Sequence, residues 1–142
     1  MNIVDANVLL YAVNEADPKH ERSRRWLDGA LSERGAVAFA WVVVLAFVRL
    51  STKPGLFPRP LPIDDALTTV RDWLDRPASV IVEPTTRHFD VLSGLLGELG
   101  TGGNLVADAH LAALAVEHNA QVVTYDSDFG RFPGVRWQPP PT

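Results

Sequence analysis

Cysteine is absent from the 142 residues, which excludes disulfide staples and thiolate metal sites. Long apolar runs are also missing. The longest unbroken one, Ala36 to Val48, is thirteen residues, against the roughly 20 that a membrane span needs. No basic stretch precedes an apolar core at Met1–Asp5, so no signal peptide is expected and a cytoplasmic domain is. Lysine is scarce, two residues against eleven arginines. A basic excess is lacking as well: thirteen Lys and Arg face seventeen Asp and Glu, a net charge of −4. That balance speaks against a strong non-specific nucleic-acid binder, whose affinity comes mainly from neutralising phosphates. There is no internal repeat and no low-complexity segment. With 46% hydrophobic and 21% charged residues, the composition is that of a folded domain and not of a disordered tail. The length fits one domain, residues 1–142, ending in a proline-rich tail at 138–142.

Short apolar runs alternate with longer stretches of helical spacing. Strands are expected at Met1–Val4, Ala36–Phe39, Ser79–Val82 and Gln121–Thr124, with a short one near Val135–Trp137. Helices are expected at Asn7–Val13, Pro18–Leu31 and Trp41–Leu50. A fourth runs from a cap at Asp64 or Asp65 to Leu74, with Ala66, Leu67, Val70, Trp73 and Leu74 on one face. A fifth starts at Thr85 or Thr86 and turns Phe89, Leu92, Leu95, Leu96 and Leu99 inward. A sixth runs from a cap at Asn104 to about Asn119. Lys53–Pro62 holds four prolines and a glycine and reads as an irregular loop, a candidate lid or partner contact. Apolar strands alternating with helices describe an α/β fold with a parallel sheet covered on both faces. Ligands of such sheets bind beyond the carboxyl ends of the strands, where Asp5, Asp126 and Asp128 fall.

Asp108 interrupts an almost wholly apolar helix, one turn after Asn104, and an ionised carboxylate is costly to bury unless paired or on a metal. Taken singly, Asp5 also suits a helix N-cap, and Asp126 and Asp128 suit a turn. Together, four carboxylates at one crevice would repel one another unless a cation neutralised them. Oxygen ligands without His or Cys favour Mg²⁺ or Mn²⁺ over Zn²⁺. Such sites hydrolyse phosphodiesters. His110 and His118 read as helix-surface or helix-end residues and not as ligands. Arg22, Arg24 and Arg25 read as a solvated face, and the four tryptophans as core or interface anchors.

These residues resemble the PIN-domain family, specifically its VapC-type toxins. Ile3-Val4-Asp5-Ala6-Asn7-Val8-Leu9-Leu10-Tyr11 is similar to the family's first motif. Asn104 to Ala115, around Asp108, is similar to its third acidic motif. Thr124-Tyr125-Asp126-Ser127-Asp128-Phe129 is similar to its closing signature. The resemblance spans nearly the whole chain. It implies a three-layer α/β/α sandwich with a central, mainly parallel sheet, and a Mg²⁺- or Mn²⁺-dependent endoribonuclease that cuts RNA by metal-activated water. Metal ligands would fall on Asp5, Asp108 and Asp126, with Asp128 completing the catalytic acids. Asn7, Asn104 and Thr124 would support them, and Arg49 would hold substrate phosphate. A homodimer and a cognate VapB-type antitoxin are implied as partners.

One departure stands out. The family's glutamate after the second strand falls at Ala46, and no carboxylate lies anywhere from Ala36 to Thr52. That favours one well-held ion, mainly on Asp5 and Asp108, over two. It also favours an alternative, a degenerate PIN-fold module that binds RNA or protein without cutting. A dehalogenase-type phosphatase would need a second Asp where Asn7 stands and a lysine beyond Lys53, and both are missing; a receiver domain fails on the same lysine. Setting the four site carboxylates aside leaves thirteen acidic residues against thirteen basic, so the acidity reads as a metal socket and not as a repellent surface.

Overall fold

The computed structural model describes all residues, Met1–Thr142. Five strands form one sheet: β1 (Asn2–Val4), β2 (Val37–Phe39), β3 (Ser79–Ile81), β4 (Gln121–Val123) and β5 (Trp137–Gln138). The order across it is β3-β2-β1-β4-β5, and every pairing is parallel. Ile3 lies between Ala38 and Val122 in register. Six helices connect the strands: α1 (Ala6–Val13), α2 (His20–Ser32), α3 (Trp41–Thr52), α4 (Ile63–Leu74), α5 (His88–Leu99) and α6 (Leu105–Glu117). Parallel neighbours need crossover connections, and these helices supply them.

The chain first moves outward from β1 to β2 to β3, then returns across the sheet to β4. Right-handed crossovers put outward and returning helices on opposite faces. Accordingly α1 packs on α2 and α3, and α3 on α4, while α5 pairs with α6. The direction reverses between β1 and β4, so the crevice for a ligand opens where these two strands end. The core between the layers holds Ile3, Val4, Val8, Leu9, Phe39, Phe47 and Leu114, all buried. Trp73 of α4 is a core anchor, stacked on Phe39 and edge-on to Phe47.

The expected α/β alternation holds, with element ends moved by one to three residues. Four local expectations change. Asp64 and Asp65 do not cap α4: Pro62 occupies the cap position and the two carboxylates lie in the first turn, where they favour the helix dipole. Leu67 is half-exposed instead of inward, because it borders a groove between α3 and α4 that nothing fills. α5 starts at His88, and Phe89 is 75% exposed instead of buried. His88 points into the α5–α6 contact, and the next residue on a helix is turned about 100° away. Asn104 caps nothing, since its backbone is itself helical. The carbonyls of Gly102 and Gly103 take the first amides, those of Leu105 and Val106.

Candidate active site

Asp5 follows β1 directly and its amide bonds to the Val123 carbonyl at 3.0 Å. Its side chain does what a helix cap does: Oδ1 accepts from the Ala6 amide at 2.7 Å. Oδ2 accepts from the Thr124 hydroxyl at 2.7 Å and from Asn7 Nδ2 at 3.2 Å. The cap reading therefore holds for this residue, and Oδ2 carries two further bonds that a cap alone does not need. Thr124 is fully buried. Its Oγ1 donates to Asp5 and accepts from Asn7 Nδ2 at 3.0 Å and from the Asp126 amide at 3.0 Å. Asn7 in turn accepts from the Tyr125 amide at 3.1 Å. These two neutral side chains tie the end of β1 to the end of β4, and every hydrogen-bonding group in the tie is used.

Beyond β4 the chain forms a 3-10 turn, Ser127–Arg131, capped by Asp126, whose Oδ1 accepts from the Asp128 amide at 2.9 Å. Phe129, fully buried, pins this turn to the core and stacks edge-on with Phe132. Asp126 and Asp128 are thus aimed outward by a rigid anchor. Asp108 reaches the same point from the first turn of α6. Oxygens of Asp108, Asp126 and Asp128 all lie within 4.8 Å of one another. Asp5 stands beside this trio and outside it, close enough to act on the charges of Asp126 and Asp108.

Burial pushes the Asp108 carboxyl up to about 6, and the charges of Asp126, Asp5 and Asp128 add to that. Burial also raises the Asp5 carboxyl, with Asp126 adding to it, while Thr124, Ala6 and Asn7 hold it back. No arginine or lysine forms an ion pair with any of the four. Arg49 is exposed in the last turn of α3 and bonds to none of them. Asn104 is exposed and stays outside the network.

A raised carboxyl pKa stabilises the fold at low pH, and that contribution is lost as pH climbs through about 6. His110, whose pKa burial lowers, acts with the opposite sign in the same window. The difference between wild type and Asp108→Asn isolates the carboxylate. In chelator the asparagine variant should melt higher than wild type at pH 7.5, and the gap should shrink as pH falls through about 6 and close only below about 4. A gap of constant size would show that Asp108 is not strained by its neighbours.

Sequence reasoning missed a second polar cluster, between α5 and α6. The Glu117 side chain is buried, and its Oε1 accepts from the amide and hydroxyl of Thr85 at 2.9 and 2.6 Å. Its Oε2 lies 2.5 Å from His88 Nδ1, and His88 Nε2 lies 2.9 Å from His110 Nδ1. His110 is therefore not a surface residue. His118, as expected, ends its helix, and its Nε2–H donates to the Glu83 carbonyl at 2.8 Å. The seven-residue spacing of His110 and Glu117 puts both on one helical face, the only signal the sequence carried.

Known proteins give concordant matches. The model of the PIN domain family matches residues 3–135. Ribonuclease VapC37 of Mycobacterium tuberculosis is 66% identical over 141 residues, which cover 99% of this chain and 98% of that protein. Ribonuclease VapC25 of the same organism is 37% identical over 141 residues, 99% of each chain. Among solved structures, VapBC2 from Rickettsia felis bound to a promoter DNA fragment aligns with a TM-score of 0.73 at 18% identity, covering 97% of each chain. M. tuberculosis VapC20, described as a sarcin-ricin loop cleaving toxin, aligns with a TM-score of 0.69 at 17% identity, covering 96% of this chain and 99% of that one.

Proposed function

The chain belongs to the PIN-domain family, and from that premise we propose that it is the toxin of a type II toxin–antitoxin pair, an endoribonuclease that hydrolyses RNA phosphodiesters with a divalent ion. The observation that carries this reading is the meeting of Asp108, Asp126 and Asp128, beside Asp5, at the point where the sheet reverses direction. The donor set fits a hard cation: all oxygen, all anionic, and facing no internal counter-charge. We assign Mg²⁺ or Mn²⁺, and one ion in place of two, because α3 offers no carboxylate and Ala46 stands at the remaining slot. When bound, such an ion lowers the pKa of a water and offsets charge on the phosphoryl and leaving oxygens.

The chain's own groups have separable tasks. Asp108 and Asp126 hold the ion and Asp5 completes the set from the other wall. Asp126 also caps the 3-10 turn through the Asp128 amide, which fixes its Oδ1 before anything binds. Asp128 is exposed, and in this reading it accepts a proton from the attacking water. Thr124 and Asn7 orient Asp5.

Partners follow from the same reading: RNA as substrate, a VapB-type antitoxin, and a second copy of the chain. The groove of about 550 Å³ between α3 and α4 leaves Trp41 and Leu45 exposed and gives a partner chain apolar surface to cover. No helix is long and apolar enough to cross a membrane.

Removal of the divalent ion tests the proposal. The four carboxylates should then repel RNA, so chelator should abolish binding as well as cutting, and added Mn²⁺ should restore both. Equal RNA affinity in chelator and in Mg²⁺ would refute the metal-socket reading. If the loaded protein cuts no RNA, the non-catalytic module favoured by Ala46 becomes the better account.

A further inference from the structure

A second cleft adjoins the acidic site. Asn7, whose amide is committed to Asp5, Thr124 and Tyr125, also stands at the mouth of a cavity of about 270 Å³ between α1 and the loop after α3. Leu10, Leu50 and Phe57, buried or half-buried, and the more exposed Leu56 give it an apolar lining, Tyr11 adds an aromatic ring, and Asn14 and Asp17 add polar groups.

These polar groups are half-used. Asn14 Oδ1 accepts from the Ala16 amide at 3.3 Å, and Nδ2 has no protein partner. Asp17 Oδ1 accepts from the Lys19 amide at 2.8 Å, and Oδ2 has none. The turn is braced by the Asp17 amide bonding to the Asn14 carbonyl at 3.1 Å, so one turn carries both a free donor and a free anionic acceptor on the lining of the same cavity. Next to this turn the Lys19 ammonium lies 5.2 Å from the Tyr11 ring centre and 5.8 Å from that of Tyr125, paired with no carboxylate. Tyr125 is fixed by Ser23, 2.7 Å from its hydroxyl, and by edge contact with Tyr11. The sequence passes from Tyr125 straight to Asp126. An apolar slot with an aromatic ring, polar groups and a nearby cation is how proteins take up an unpaired RNA base and its phosphate.

We propose that this cleft receives one unpaired base beside the phosphate being cut, and that the base is guanine. The inference rests on the ribonuclease reading of the acidic site. Guanine is the RNA base with two adjacent donors, N1–H and the N2 amine, both of which the Asp17 carboxylate accepts. Asn14 Nδ2 donates to O6, the ring packs on Tyr11 and the apolar lining, and Lys19 meets the flanking phosphate. Adenine and cytosine offer the carboxylate a single donor group, and uracil sets two acceptors around its one N–H.

The test is cleavage of a short RNA pool randomised around the cut, with Mn²⁺, by wild type, Asp17→Asn, Asn14→Ala and Tyr11→Leu. Guanine should occupy one fixed position next to the cut. Asp17→Asn should lower the preference for guanine by about tenfold or more, the usual scale for losing a paired hydrogen-bond partner. Tyr11→Leu should weaken all RNAs by about tenfold. Mn²⁺ affinity should be the same in all four proteins. A parallel NMR titration of the metal-free protein with guanosine and cytidine monophosphates reads the cleft without any cutting, and guanosine should shift Tyr11, Asn14 and Asp17 more strongly. If RNA is cut with no guanine preference, or with one that survives both Asp17→Asn and Asn14→Ala, the cleft assignment is wrong and the ribonuclease stands. If no RNA is cut yet guanosine binds at Asp17, the cleft stands and the ribonuclease reading is wrong. Failure of both experiments overturns both.

Discussion

Asp108→Asn should lower RNA cleavage about a thousandfold and, in metal-free buffer at neutral pH, make the protein harder to melt. The first effect follows, on the proposed reading, from losing an anionic ligand of an ion that would supply several kcal/mol of charge stabilisation in the transition state, where each ~1.4 kcal/mol is a factor of ten. The second follows from the raised carboxyl of Asp108, about 6, which records burial among Asp126, Asp5 and Asp128. Neutralising it relieves that repulsion. The group is partly open to solvent, so screening trims the gain, and about 3 °C in Tm is expected. Opposite signs in one variant are the strength of the test, since a loss of activity through misfolding would lower both. Initial rates on a labelled RNA and a thermal melt in chelator suffice. If the variant cuts like wild type, Asp108 has no part in the chemistry.

The largest expected loss of stability lies elsewhere, at Glu117→Ala. The Glu117 side chain is buried and takes three hydrogen bonds, two from Thr85 and one from His88. Burial alone would raise its carboxyl pKa, and the bonds from Thr85 and His88 outweigh that and lower it. Truncation strands a buried hydroxyl, an amide and a ring N–H at once. Removing one partner from a buried, hydrogen-bonded pair costs about 3–5 kcal/mol, enough to shift Tm by about 10 °C. Glu117→Gln should cost far less. Its amide oxygen accepts from Thr85 as before, and its NH₂ donates to His88 Nδ1 once that ring carries its proton on Nε2, facing His110. Urea unfolding of both variants separates the readings, because equal losses would mean that only charge matters there.

The sheet, its helices and the site aspartates were legible in the chain for a physical reason. Buried parallel strands are mostly apolar, so Val37–Phe39 and the Val122–Val123 pair of β4 announce themselves, and Asp108 stands out because its helix is otherwise mostly apolar. What was not legible depends on distant residues meeting. Glu117 bonds to His88, 29 residues away, and no periodicity encodes that. Phe89 has the spacing of an inward residue, yet His88 claims the inward direction in that turn. Asn104 has the chemistry of a cap but follows two glycines whose carbonyls already do the work. The base-sized cleft draws on α1, the α1–α2 turn, the end of α3 and the loop behind it, so it exists only after folding. The grouping of the acids was not legible either: Asp128, outside the expected ligand set, lies within the close trio, and Asp5, expected as a principal ligand, stands beside it.

The central strand pairing has a consequence in time. β1 finds its partner β4 more than a hundred residues later, and Asp5 is oriented by Thr124, while Asp126 and Asp128 come later still. A chain emerging residue by residue from a ribosome therefore carries its first acid for almost the whole of its synthesis without a pocket around it. Any product broken off before Thr124 lacks the tie, the turn and two of the four carboxylates. Translation that aborts early leaves a fragment without the carboxylate pocket, and that pocket forms only once the last residues of the chain have been made.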